Sequence, residues 1–314
     1  MINLDQIIAA ADALEPLPAT TARLVQLVGT AHVELDEIAE LIAFDQALTL
    51  ALLRTANSAF SASAEPVATV RDAVSRMGTG EVLHLAAAFG LRPLLQAKLP
   101  AYGLGEGALW RHSVAAAVAA QTLPAFCNVE LPPECFTAAM LHDVGKLVMG
   151  RFLSPEILTF IQQAQEADQL DRTQAEAQLF HIHHGQLGGM IARNWRMPAR
   201  IVLGITHHHQ PGPGADVICD LTYLANHVAK QIEAGLWGGK FDAPVDAGAL
   251  SRLGLSTEKL DLHLPVAAAR YAKVSSGYQV TPPKDSAGFR AGPKAAADHR
   301  ADEDPVPTGH FLRR

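Results

Sequence analysis

Paired thiols, clustered basic charge and long apolar runs are all scarce in this chain. Its three cysteines (Cys127, Cys135 and Cys219) form no C-x-x-C pair. That excludes a disulfide framework and points to reduced thiols in a cytoplasmic protein. Lysine and arginine number 25 against 32 acids, for a net charge of −7, and they do not cluster. Binding a polyanion requires concentrated Lys and Arg, so no nucleic-acid partner is expected. No apolar run approaches the ~20 residues that span a bilayer, so no membrane partner is expected either. The opening MINLDQIIAAADAL carries acids where a secretory leader would be basic.

Aromatics make up only 6% of the 314 residues, whereas 49% are hydrophobic with alanine and leucine dominant. This balance favours helices over sheets and supplies enough apolar surface for a substantial core. Nearly every segment carries helical periodicity and punctuation, and none alternates as a strand would. The fold class expected is all-α, with an N-terminal helical bundle packed on a second multi-helix domain.

In the first half, helices are predicted near 3–14, after a Thr20 or Thr21 cap, from Asp36, and from an Asp45 cap towards Asn57. A fifth spans 69–77 and stops at Gly78, and a sixth, capped by Thr79, runs to a break at Arg92-Pro93. Asn57 and Ser58 are expected to turn the chain after the fourth helix. The glycine-rich stretch PAYGLGEG (100–107) reads as a hinge, giving domains at 1–100 and 101–274. In the second half, helices are expected near 108–126, 133–150, 155–168, 173–195, 198–209 and 216–234. Ser256 caps a shorter segment and Pro265 opens another towards Tyr271. Residues 275–314 are rich in Pro, Ala, Gly and charge, the composition of a disordered tail.

Histidines stand out against this background. His112 lies in WRHSVAAA, His142 and Asp143 in LHDVGKL, His184 in HIHHGQLGG, and His207, His208 and His209 in THHHQP. Each falls in or beside an apolar helical stretch, where a bare imidazole needs a partner. Imidazole and carboxylate without thiolate suit iron, manganese, zinc or nickel, so a divalent metal is the cofactor to look for. His142 and Asp143, about 100° apart on a helix, reach one ion only if another helix completes the set. His112, among alanines that allow close helix approach, is the natural third donor. Lys146 could place a charge over a bound phosphate.

The run W-x-H-S, A-x-L-H-D-V-G-K-L, H-x-x-x-G-x-x-x-x-x-x-W and H-H-x-P resembles the HD superfamily of metal-dependent phosphohydrolases. ALEPLPATTARLVQL, IAELIAFDQALTLALLRTANSAF and TVRDAVSRMGTGEVLHL, over roughly residues 10–235 together with the HD run, resemble its HDOD branch, the HD-related output domains of bacterial signalling proteins. The resemblance implies that His112, His142 and Asp143 are the first three metal ligands, and that His184 with His208 or His209 are those of a second ion. The superfamily's final ligand is an aspartate. Asn226 stands at that position, and an amide binds a cation more weakly than a carboxylate does. HHQPGPG also departs from the GYP signature of cyclic di-nucleotide phosphodiesterases.

Two functions follow from the resemblance. One is a non-catalytic signalling output or scaffold module whose histidine core regulates a signalling-protein partner, with a nucleotide second messenger as a candidate ligand. The other is a phosphohydrolase in which the metal activates water against a nucleotide phosphate and Lys146 steadies the developing charge. Taken one residue at a time, plainer roles are available. Asp143 can orient His112 or His184 without an ion, and Lys146 can snorkel to solvent. His181, His183 and His207 are expected to be solvated, and Trp110 and Trp195 to serve as packing anchors.

Overall fold

The computed structural model describes residues 4–28, 30, 33–43, 45–59, 67–168, 170–212, 216–236 and 238–277. Among them every regular element is helical, apart from an isolated bridge between Leu99 and Leu104. The first part contains α1 (Leu4–Asp12), α2 (Ala19–Val28), α3 (Leu35–Ala43), α4 (Gln46–Ala59), α5 (Val70–Met77) and α6 (Thr79–Leu95). After a 3-10 turn at Pro100–Tyr102 come α7 (Ala108–Thr122), α8 (Cys135–Leu141), α9 (Lys146–Met149), α10 (Pro155–Asp168) and α11 (Arg172–Phe180). The chain continues through α12 (His184–Asn194), α13 (Ala199–His207), α14 (Val217–Leu236), α15 (Ala247–Arg252) and α16 (Thr257–Gly277).

Helix α7 is the axis around which the second part assembles. Its run from Ser113 to Ala120 is buried all round, and its small side chains leave room for neighbouring helices to come close. Helices α8, α14 and α16 all pack against it, and α6 joins it from the N-terminal side. Close packing follows directly from the alanines: small side chains bring backbones together and let longer ones, such as His112, meet groups on other helices. Asp220 is fully buried on α14 and accepts two bonds from Arg252, at 2.7 and 2.8 Å, which ties α15 down.

Several local expectations need correction. Thr20 and Thr21 lie inside α2, and Thr79 is the first helical residue of α6, with Gly78 (φ 87°) in the cap position. Pro93 sits within α6 and Pro265 within α16, and neither breaks its helix. A proline removes one backbone donor and perturbs one turn, which tertiary packing on both sides can offset. The 133–150 and 173–195 segments are each two helices separated by turns. Helix α16 runs to Gly277, past the expected boundary at 275, and the remainder of that tail lies outside the described residues.

Asn57 is part of α4 and does not turn the chain there, while the side chain of Ser58 lies outside the described residues. The Asn57 amide instead clasps the backbone of Val67, donating from Nδ2 to its carbonyl at 2.9 Å and accepting its N–H at 2.6 Å. Alanine at 57 leaves both main-chain groups without this partner, an expected loss of about 1–3 kcal/mol. A chemical-denaturation midpoint unchanged from the parent would refute the clasp.

A candidate metal centre shared by one aspartate

Four elements deliver the site. His112 comes from α7, and His142 and Asp143 from the turn that follows α8. His184 opens α12, while His208 and His209 follow α13. The donors form two groups with Asp143 common to both: His112, His142 and Asp143 in one, and Asp143, His184, His208 and His209 in the other. The carboxylate faces them with different oxygens. Oδ2 lies 3.4 Å from His142 Nε2 and 3.7 Å from His112 Nε2, whereas Oδ1 lies 3.2 Å from His184 Nε2 and 3.6 Å from His208 Nε2. His142 and Asp143 are thus not two residues sharing a regular helix face, because the turn re-aims both.

The outer nitrogens of four rings are held by acceptors. Nδ1 of His112 donates to Glu233 at 3.0 Å and that of His184 to Glu176 at 2.7 Å. Nδ1 of His142 and of His208 donate at 2.7 Å to the carbonyls of Ala139 and Ile205. With the proton fixed on Nδ1, each ring presents Nε2 to the interior, the arrangement of metal-binding histidines. His184 and His209 bring their Nε2 atoms to 2.9 Å, and those of His112 and His142 are 3.2 Å apart. Nitrogens bonded at about 2.1 Å to one ion sit at separations of this size.

The residues present therefore fit a divalent metal, and two buried atoms argue for it independently. Asp143 Oδ1 and His208 Nε2 have no hydrogen-bond partner although their side chains are 2% and 0% exposed. Buried polar atoms are rarely left so, and an ion between them satisfies both. The donor chemistry, imidazole and carboxylate without thiolate, leaves the identity of the metal open.

The charges are arranged to the same end. Burial pushes the Asp143 carboxyl up, but Lys146 and then His142 hold it well below the ordinary carboxylate range. Burial lowers His208 to about 3 and carries His209 well down, so both are neutral donors. Burial also opposes protonation of His184, yet Glu176 and Asp143 raise it above its ordinary value. The His184 ring thus lies between two carboxylates, Glu176 on Nδ1 and Asp143 near Nε2.

Sequence reasoning singled out the donors but missed their outer partners. Glu176 is fully buried and held down to about 2, chiefly by His184 against the upward push of burial. It takes the ring and backbone N–H of His184 at 2.7 and 2.9 Å, Tyr102 Oη–H at 2.8 Å and Arg172 Nε at 3.4 Å. Glu233 follows Asn226 by seven residues, two helical turns along the face of α14 that meets His112, so spacing alone could have suggested it. Asn226 Oδ1 lies 3.2 Å from His112 Nε2, and Lys146 Nζ lies 2.6 Å from Asp143 Oδ2.

The other histidines divide. His181 and His207 are exposed, as expected, whereas His183 is buried. Its ring accepts the N–H of Gly185 at 3.1 Å and caps α12, so the expectation of a solvated side chain is corrected. Trp110 and Trp195 are buried among core residues.

An all-helical body with an HD pair at the meeting point of its helices defines the class of protein. Residues 14–211 match the family model of the HDOD domain, and the chain belongs to that family. Its fold is shared by an HDOD domain protein of unknown function from Geobacter sulfurreducens, at 22% identity, a TM-score of 0.66, and coverage of 87% of this chain and 98% of that one. A Shewanella amazonensis protein provisionally called a phosphohydrolase matches at 22% identity with a TM-score of 0.66, covering 88% of this chain and 98% of that chain. A Marinobacter aquaeolei protein provisionally called a signal transduction protein matches at 23% with a TM-score of 0.64, covering 88% and 60%. An uncharacterised Treponema pallidum protein is 24% identical over 210 residues, which are 63% of this chain but only 39% of that protein. Among the described residues no helix is long and apolar enough to cross a membrane.

Proposed function

We propose that this chain is a signalling output module of the HDOD type, working in the cytoplasm, whose histidine cluster holds a divalent metal and sets the shape presented to a signalling-protein partner. The observation that carries this reading is the burial of the donors: the side chains of His142, Asp143, His184 and His208 are 0–2% exposed. A substrate phosphate would have to reach groups that solvent does not touch. Two further features agree with it. Asn226 replaces the carboxylate that would complete the ligand set. Lys146, the residue placed to steady a developing charge, is engaged by Asp143.

When bound, the ion supplies a fixed positive charge and Lewis acidity at the meeting point of α7, α12, α13 and α14. The chain's own groups do the rest. Glu176 and Glu233 orient their rings, Asp143 joins the two groups, and the closely packed alanines of α7 keep water away.

The hydrolytic alternative is supported by one observation, positive charge at the rim. Lys146 is partly exposed, and it is the charge that, after burial, most depresses the half-buried Lys230 ammonium. Such a rim could also receive a nucleotide second messenger. Elemental analysis of protein purified without chelator, followed by assays on a panel of cyclic and linear nucleotides, separates the readings. Bound metal without metal-dependent turnover is expected. Turnover with iron or manganese that disappears together with the metal in His142→Ala would overturn the module reading.

A further inference from the structure

We propose that the chain holds a single divalent ion, bound by Asp143 Oδ1 with His184, His208 and His209, while the HD group of His112, His142 and Asp143 Oδ2 is closed by protein groups standing where another ion would be. The inference rests on the metal-binding part of the reading above and assigns which half of the cluster binds.

The two halves differ in what is already satisfied. In the HD group, Lys146 Nζ contacts Asp143 Oδ2 at 2.6 Å, so an ammonium already supplies the positive charge that oxygen needs. His112 Nε2 lies 3.2 Å from both Asn226 Oδ1 and His142 Nε2, and neither ring nitrogen of this half is among the unpartnered buried atoms. In the other half the accounting fails, since both unpartnered buried atoms of the cluster, Asp143 Oδ1 and His208 Nε2, face that side. Leaving such groups without a partner is destabilising, and a bound ion satisfies both.

Charge separates the halves further. On the Oδ1 side, Glu176 behind His184 adds a second carboxylate to the shared Asp143. Across the cluster, Asn226 contributes no charge, and the Lys146 ammonium already sits against Oδ2. A second ion there would face only Glu233, on the outer nitrogen of His112. The aspartate missing from position 226 thus does more than weaken a ligand. It shifts the binding half of the cluster from the HD group to the later histidines.

The test is titration of the metal-free full chain with manganese(II), read by calorimetry and elemental analysis, with circular dichroism confirming the fold of each variant. Wild type should take one ion per chain. His209→Ala, a half-buried position tolerant of truncation, should weaken binding about 100-fold or more, whereas His112→Ala should keep one ion with affinity within a few-fold. Asn226→Asp combined with Lys146→Met should raise the stoichiometry to two. Anomalous density in a manganese-soaked crystal locates the ion without any variant. Two ions in wild type, or one ion lost in His112→Ala and kept in His209→Ala, overturns this assignment but leaves the metal-binding reading standing. No binding to wild type overturns both.

Discussion

Alanine in place of Gly145 should cost about 3 kcal/mol or more of stability and release the metal. A Cβ there would lie 1.9 Å from the carbonyl oxygen of His184 and 2.7 Å from the backbone nitrogen of Gly188. Both obstacles are main chain, so no side chain can swing aside. Helix α12 would have to retreat from the turn carrying His142 and Asp143. That retreat lengthens the 3.2 Å approach of His184 to Asp143 and takes one ligand out of reach. A lowered Tm together with lost manganese binding is the expected result. Gly80→Ala is the control, since a Cβ on Gly80 has nothing within 4 Å. That change should leave binding intact and stability unchanged or slightly raised. Equal behaviour of the two variants would refute the close approach as the reason for glycine at 145.

Mild acid should destabilise the metal-free protein strongly. His208, His227 and His263 are 0%, 6% and 0% exposed, and burial holds them at about 3, 4 and 4 against an ordinary value of 6.5. Groups with folded values this depressed stay neutral in the native state while the unfolded chain takes up protons. Their contribution is complete above pH 6.5 and falls away as the pH drops towards 3–4. One unit below 6.5 each costs about 1.4 kcal/mol, so the three together cost about 4 kcal/mol. That is a large part of a typical domain's 5–15 kcal/mol. His184 works in the opposite direction. Its raised value contributes stability that is fully present below 6.5 and is lost as the pH rises through the folded value. Urea midpoints measured from pH 7.5 to 5 should fall, and a flat profile would mean that these histidines are not buried neutral. Bound metal should make the fall steeper, because His184, His208 and His209 release their ion as they protonate.

The donors were legible because their chemistry is written locally. An HD pair, a histidine on the preceding helix and a later HH pair have spacings that only a converging helical body explains. Their turn geometry was not legible. The break between α11 and α12 contains no glycine or proline; His181 takes a left-handed conformation (φ 59°) and His183 caps the next helix with Gln186. Cap recognition looks for Ser, Thr, Asp or Asn, and an imidazole that accepts the same N–H escapes it. Pro93 and Pro265 misled in the other direction, since the one was read as a helix end and the other as a helix start, while packing on neighbouring helices holds each turn. Glu176 and Tyr102 were invisible for a third reason. Glu176 acts on His184, and Tyr102 on Glu176, from positions that only tertiary structure brings near.

Glu176 gathers three stretches of chain into one piece: the 100–102 turn through Tyr102, the start of α11 through Arg172, and the head of α12 through His184. Arg172 adds a strap of its own, donating from Nη2 to the carbonyl of Ala101 at 3.2 Å. Residues 100–102 are therefore tied to the histidine cluster, while α1 and α4 of the first part pack directly on α12 and α16. A shift of α1 would reach His184, at the head of α12, through that contact.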